Sequence, residues 1–435
     1  MKITFLGACR MVTGSQYLLE QDNVRLLVDC GMIQGEQFTE DKNYDDFAFD
    51  PTQVAAVVIT HAHIDHCGRI PRLVREGFRG KIISSHATLD LAYLMLEDSA
   101  HVIQMDAEAA GYPPLYVQED VQEAATLFHG VNYHEPMQVG PFTIELWDAG
   151  HILGSAFIRI TAGGKRIVFS GDLGNPPVPL LKPTEALPAT DYVVMESTYG
   201  STTHEPARER KLLLRSAIYE TVTMQGTLLI PAFALERTQE LLFELNDLVE
   251  HKDIPPVPIF IDSPLAIKAT RIYPKYNHWF NKETQYLIAK GDDVFKFNGL
   301  KFTSSSAESR DILRVKAPKV ILAGSGMMQG GRVRYHAKNY LSDFRNQVLI
   351  VGYQVKGSLG RQLLDKAKHV VIDGDGVDVH AKVRAIGAYS AHADQPKLLA
   401  WLGSAPQLPQ RMWLTHGEED KANNLAKLLA LSSSP

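Results

Sequence analysis

The sequence predicts an α/β protein in which one domain is interrupted by another whose sheet is mainly parallel. A chain of 435 residues is too long for one compact core, so two domains are expected. In its middle third, helical stretches at 205–220 and 235–250 alternate with short apolar strands at 227–230 and 257–261, joined further on by 319–323 and 348–351. That alternation calls for crossover connections and hence a parallel sheet. Residue types that ligate metals also recur after apolar runs near both ends of the chain. If His61 and His416 serve one site, the first and last segments must fold together around the middle one.

In chain order, residues 1–7 read as a first strand, and Arg25-Leu26-Leu27-Val28 as another that ends in Asp29 before Gly31. The apolar stretch 54–60 leads directly into His61-Ala62-His63-Ile64-Asp65-His66. Residues 71–76 and 88–110 have helical composition, and Gly111-Tyr112-Pro113-Pro114 ends the second of these. His151 follows the strand-like run through Leu146 and Trp147. Asp172 follows Arg166 to Gly171, with the proline-rich loop 175–179 soon after. From about residue 370 a strand-and-turn texture returns. A last helix is expected from about Asp420 to Leu431, and residues 432–435 read as a frayed end. No internal repeat or low-complexity tract interrupts this order.

The run from His61 to His66 is the strongest chemical signal. Three imidazoles and a carboxylate within six residues suit zinc or a similar divalent ion, and they exceed what one tetrahedral site takes comfortably from one short turn. The spacing therefore points to two metals sharing a loop, and further ligands are expected elsewhere. Asp29, His151, Asp172 and His416 supply the needed types, each at a strand end with a glycine close behind. A single strand-end His or Asp is usually a turn residue. Four of them beside HxHxDH make a metal centre the better account. Cys67 adjoins His66 but is expected to pack behind the loop.

The ordered set Asp29, HxHxDH at 61–66, His151 and Asp172 resembles the metal motifs of the metallo-β-lactamase superfamily. Glu196 in Met195-Glu196-Ser197-Thr198-Tyr199-Gly200, His392 in Ser390-Ala391-His392-Ala393-Asp394, and His416 in Thr415-His416-Gly417-Glu418 look like the three additional motifs of its β-CASP branch. That branch holds nucleic-acid nucleases, ribonuclease J and the mRNA 3′-end cleavage endonuclease among them. Segments 324–332 and 352–360 match as well, so the resemblance spans essentially the whole chain. It implies an αββα metallo-β-lactamase sandwich built from residues 1–200 and 376–435, with a β-CASP α/β domain inserted at 201–375. The active site is then expected in a cleft between the domains, a common place for ligand sites.

The same resemblance distributes the roles. It implies two zinc ions, with manganese an alternative: one held by His61, His63 and His151, the other by Asp65, His66 and His416, with Asp172 bridging both. Two such ions about 3.5–4 Å apart acidify a shared water and clamp the phosphoryl oxygens of an in-line displacement, the resulting hydroxide attacking phosphorus. Asp29 is expected to hydrogen-bond a ligand imidazole without touching metal. The catalytic set is Asp65, Glu196 and His392. Within it Glu196 orients His392, which donates a proton to the departing oxygen. Ser325, Gly326 and Arg332 in the glycine-rich loop are candidates to grip a nucleic-acid backbone, although a plain tight turn explains that loop equally well. It is not a P-loop, lacking Gly-Lys-Ser/Thr. His336 nearby is expected to be a surface histidine.

Composition bounds these readings. Hydrophobic and charged contents of 45% and 22% are those of a globular protein. No apolar run reaches the roughly 20 residues that span a bilayer. Three cysteines without CxxC spacing fit a reducing cytoplasm rather than a disulfide scaffold. The net charge of −6 gives no support for a nucleic-acid partner. Two divalent ions would bring local positive charge, and Arg332, Arg334, Lys338, Lys356 and Arg361 could form a basic patch. The expectation is a metal-dependent ribonuclease that cuts single-stranded RNA endonucleolytically. Relatives of this kind are often dimers, so a homodimer is among the states to test. The competing readings are a hydrolase of a small thioester or lactone, and a non-catalytic scaffold in RNA processing. An insert as large as 201–375 argues against the first. The intact ligand set argues against the second.

Overall fold

A computed structural model describes residues 1–35 and 41–432. The expected frayed end at 432–435 falls, but for the backbone of Ser432, outside the described residues. The chain divides into two compact units. One draws on Met1–Pro176, Lys182–Thr203 and His392–Pro435, the other on Pro177–Leu181 and His204–Ala391.

The first unit is a sandwich of two six-stranded sheets. One sheet runs, in spatial order, β1 (Lys2–Phe5), β2 (Tyr17–Gln21), β3 (Val24–Val28), β4 (Val54–Val58), β5 (Lys81–Ser85) and β6 (Phe128–Val131). The other contains β7 (Met137–Val139), β8 (Phe142–Asp148), β9 (Ala156–Ala162), β10 (Lys165–Phe169), β11 (Tyr192–Glu196) and, from near the end of the chain, β20 (Arg411–Thr415). Strand β20 pairs in parallel with β11, Glu196 lying opposite Thr415. This pairing returns the C-terminal segment to the N-terminal one. Alternate residues of each strand face inward: Leu19, Leu26, Val28, Val58 and Ile83 meet Phe142, Ile144, Leu146, Ile158, Ile160 and Phe169 in one apolar core. The outer face of the second sheet, through Val168, Val193 and Met195, packs against Leu398, Trp401, Leu402 and Leu425 of helices Gln395–Gly403 and Glu419–Ser432. Helix His86–Ala110 lies on β5 and β6. It starts two residues before the expected Thr88, because Ser85 Oγ accepts from the Thr88 N–H as an N-cap, and it ends at Gly111 in the left-handed conformation.

The second unit is built on a wholly parallel sheet ordered β14 (Leu300–Phe302), β13 (Ile259–Asp262), β15 (Lys319–Ala323), β12 (Thr227–Pro231), β16 (Gln347–Ile350) and β19 (Lys382–Ala385). A two-stranded antiparallel ribbon, β17 (His369–Ile372) and β18 (Asp375–Asp378), precedes the last of these. Strand β19 pairs with β16, and this compact unit runs to Ala391. Helices Ala207–Thr223 and Arg237–Glu250 occupy the two stretches read as helical from the sequence. Among the described residues no helix is long and apolar enough to cross a membrane.

Candidate metal centre

Every candidate from the HxHxDH run, together with Asp29, His151, Asp172, Glu196, His392 and His416, lies in the first unit. Strand β4 delivers Thr60 and His61 at its end, and the single helical turn Ile64–Cys67 carries Asp65 and His66. That turn sits against the segment after β3: Cys30 N–H donates to the His66 carbonyl at 2.8 Å and Ser15 N–H to the Asp65 carbonyl at 2.8 Å. Gly31 makes the approach feasible, since a Cβ there would fall 1.6 Å from the Asp65 carbonyl oxygen. Two residues of the site, Asp29 (φ 57°) and His416 (φ 49°), are among the thirteen described residues other than glycine that have positive φ. Such backbone is uncommon outside glycine and gathers at functional sites.

The side chains form two adjoining clusters. His61, His63, His151 and Asp172 make one; Asp65, His66 and His416 make the other. Within each, one ligand atom per residue lies within 4.8 Å of all the rest. Asp172 stands between them. Its Oδ2 is 3.4 Å from His61 Nε2 and 3.5 Å from His151 Nε2, while its Oδ1 is 3.4 Å from His66 Nε2 and 3.5 Å from His416 Nδ1. Imidazole nitrogens also face one another directly. His61 Nε2 is 3.0 Å from His63 Nδ1, and His66 Nε2 is 3.0 Å from His416 Nε2.

These contacts are what a cation site requires. Burial pushes His61 down to about 3 and His63 to about 4, and holds His151 well below its usual range, so these rings present lone pairs and not charge. Each neutral ring offers one lone pair, and nitrogens 3.0 Å apart can hold either a shared proton or a cation between them. Asp172 Oδ1, buried, has no hydrogen-bond partner, and an orphaned carboxylate oxygen in that setting is costly. Nitrogen-rich donors with carboxylates suit zinc and neighbouring divalent ions. The residues present therefore fit divalent metal.

Asp29 sits behind the second cluster, fully buried. It accepts from His66 Nδ1 at 2.7 Å, from the Thr60 N–H and Oγ1 at 2.8 and 3.0 Å, and from Ser15 Oγ at 3.1 Å. Thr198 contacts His416 in a similar way, its Oγ1 lying 3.2 Å from Nδ1. The sequence reading passed over Thr60, Ser15 and Thr198. Thr60 and Thr198 stand beside motif residues in the sequence, whereas nothing there marks Ser15. Cys67 is buried, its thiol directed at the Ala62 carbonyl at 3.5 Å, and it belongs to neither cluster.

Glu196 and His392 meet at the edge of the centre. His392 Nδ1 lies 3.2 Å from Glu196 Oε2 and 3.8 Å from Asp172 Oδ2. Backbone pairing fixes the arrangement: His392 bridges to Gly174, Ala393 N–H donates to the Leu173 carbonyl, and Glu196 Oε1 accepts from the Leu173 N–H. A Cβ at Gly174 would lie 2.0 Å from the Gly150 carbonyl, so glycine lets the Asp172 and His151 loops touch. Burial alone would keep His392 neutral. The carboxylates of Glu196 and Asp172 outweigh it and lift the imidazole to about 9. These two carboxylates thus favour the protonated form of His392.

Ser325, Gly326 and Arg332 lie in the second unit and are engaged there. Arg332 donates to Asp262 Oδ1 at 2.7 Å and to the Thr303 and Ser304 carbonyls. Ser325 Oγ donates to the Gly330 carbonyl, closing the turn, and the Gly326 carbonyl accepts from Gln354 Nε2. His336 is a correction: it is fully buried, with Nε2 on Asp262 Oδ2 at 2.7 Å, and not on the surface. Of the five basic residues expected to form a patch, Arg332, Arg334, Lys338 and Arg361 are ion-paired with Asp262, Asp373, Asp375 and Asp365.

Comparison with known proteins identifies the family. Residues 10–197 match the metallo-β-lactamase superfamily, 238–363 the Beta-Casp domain, and 376–432 the Zn-dependent metallo-hydrolase RNA specificity domain. The chain is 40% identical over 431 residues to Ribonuclease TTHA0252 of Thermus thermophilus, covering 99% of this chain and 96% of that one. The chain belongs to the β-CASP branch of the metallo-β-lactamase superfamily. An RNase J-like protein of Methanocaldococcus jannaschii is 32% identical, with 98% and 94% covered. Transcription termination factor FttA of Methanosarcina mazei is 31% identical, with 98% of this chain and 68% of that one covered. A crystal structure of a protein of unknown function from Enterococcus faecalis V583 superposes with a TM-score of 0.54 at 13% identity, covering 97% and 95% of the two chains, and shares the fold. As a β-CASP family member the protein is a metal-dependent hydrolase.

Proposed function

We propose that this β-CASP protein is a ribonuclease that cuts single-stranded RNA internally, using two zinc ions held by His61, His63 and His151 and by Asp65, His66 and His416, with Asp172 shared. The single observation that carries the reading is the position of Asp172, each of whose oxygens faces a different pair of imidazoles. Relatives named as ribonucleases, and the match of residues 376–432 to an RNA specificity domain, favour RNA over a small thioester or lactone. The intact ligand set disfavours a scaffold without activity. Manganese is the alternative occupant.

When bound, the ions supply an acidified water and neutralise the phosphoryl oxygens. The protein's own residues do the rest. Asp29 fixes the His66 ring so that Nε2 points inward. His392 holds a proton on the ring beside Glu196 and releases it to the departing oxygen, a step that contributes about 10²–10⁴-fold in rate. Asp65, a ligand beside His416, completes the negative shell. We include in the reading the domain division at about 200 and 375, a cytoplasmic setting, which suits three free thiols, and a homodimer that sedimentation would reveal.

The test uses zinc-loaded protein and its Asp65→Ala/His66→Ala variant on a 5′-labelled single-stranded RNA and the matching DNA. Internal RNA fragments that vanish with the variant are expected. Intact RNA with zinc bound would overturn the reading and direct attention to thioesters and lactones.

A further inference from the structure

We propose that Thr60 is a positioning residue whose hydroxyl carries the orienting effect of Asp29 across to His61, so that one buried carboxylate sets an imidazole in each ligand cluster. The inference rests on the metal-binding part of the reading above and not on the identity of the substrate.

Thr60, Asp29 and His61 are all fully buried, so their polar atoms must be satisfied by one another. The Asp29 carboxylate receives four donors, two of them from Thr60. A threonine hydroxyl has one proton and two lone pairs. With that proton given to Asp29 Oδ2 at 3.0 Å, the lone pairs face His61 Nδ1 at 3.1 Å and His66 Nδ1 at 3.2 Å. The His66 Nδ1–H already has the better acceptor in Asp29 at 2.7 Å. The hydroxyl is thereby left to accept from His61 Nδ1–H.

A proton on His61 Nδ1 places the ring's lone pair on Nε2. That atom lies 3.0 Å from His63 Nδ1 and 3.4 Å from Asp172 Oδ2, inside the first cluster. Asp29 thus orients His66 directly and His61 through one hydroxyl. The two clusters share a common support on the side away from Asp172.

The experiment compares wild-type protein with Thr60→Val, which keeps the shape but lacks the hydroxyl, and with Thr60→Ser, which restores it. Zinc affinities are measured by chelator competition. Two-bond ¹H–¹⁵N spectra of histidine-labelled, metal-free protein report the His61 tautomer, assigned by its loss in His61→Asn. In Thr60→Val we expect the weaker of the two zinc-binding steps, or the step removed by His61→Asn, to fall about 10–100-fold, as for loss of other outer partners of ligand imidazoles. His61 should then populate the Nε2–H form, and Thr60→Ser should restore both readouts. Unchanged affinity and tautomer in Thr60→Val overturns the proposal, as does a Thr60→Ser variant that fails alongside it, or a wild-type protein that binds no zinc. RNA cleavage by the wild type is scored separately. Its absence alongside a normal Thr60 effect would sink the ribonuclease reading and leave this inference standing.

Discussion

Replacing Asp29 with Asn removes one charge and turns one acceptor oxygen into an NH₂ with two donor protons, at a site whose hydrogen bonds are assigned. Asn tolerates the left-handed backbone that Asp29 adopts at φ 57°, so the chain path is kept. The amide oxygen must take the Oδ1 place, because the Thr60 N–H donates there at 2.8 Å and would clash with an NH₂. The NH₂ group then faces Ser15, Thr60 and His66. The two hydroxyls can rotate to accept from it. His66 cannot accept without moving its proton from Nδ1 to Nε2, the atom that faces Asp172 Oδ1 and His416. One ligand of the second cluster is thereby blocked. Loss of such a partner typically lowers metal affinity 10–100-fold, or about 1.4–2.7 kcal/mol. Chelator competition on the folded variant should show one zinc step weakened by that factor. Both steps unchanged from wild type would refute the argument.

Further outcomes follow from the same geometry. His392→Ala should retain both zinc ions while cleavage falls about 10²–10⁴-fold, read by metal analysis beside initial rates; normal turnover with zinc in place would remove His392 from the chemistry. The imidazole of His392 is raised, so its proton is present below the raised value near 9 and lost above it. Bound cations offset the Asp172 charge and draw the basic limb of activity below 9, and Glu196→Gln should move that limb lower still; a limb at unchanged pH would contradict the pairing. In the second unit, Asp262→Ala strips His336 and Arg332 of their shared buried carboxylate and should cost about 3–5 kcal/mol, seen as lost hydrogen-exchange protection in β13 and β15. Burial opposes ionisation of Asp262, yet hydrogen bonds from His336, Ser309, Thr303 and Arg332 hold it at about 2. Its contribution is therefore complete above the ordinary carboxylate range and disappears as pH falls through about 2; protection in the variant equal to wild type at pH 7 would argue against that role.

Much of this was legible because the chemistry is local in the sequence. His61 to His66 share six positions, and the other ligands each end an apolar run, which is where a strand hands the chain to a loop. The alternating pattern after Gly200 likewise announced parallel strands, since helices must bridge them. What the sequence hid was partnership across long separations. Nothing at His336 signals that Asp262, far away in the chain, would bury it. Nothing at Arg334 or Lys338 reveals the aspartates of the β17–β18 ribbon that neutralise them. Thr60 reads as the last residue of an apolar strand, and its part in the site emerges only from three distances to its hydroxyl. Strand β19 was equally hidden, because it is short and half exposed, and only its pairing with β16 assigns it to the parallel sheet.

The most direct measurement is the rate of RNA cleavage as zinc is returned stepwise to metal-free protein, with bound zinc counted at each point. A dinuclear centre bridged by Asp172 predicts internal cleavage that reaches its plateau at two zinc ions per chain. Full activity without bound metal, or intact RNA at two ions per chain, would contradict it.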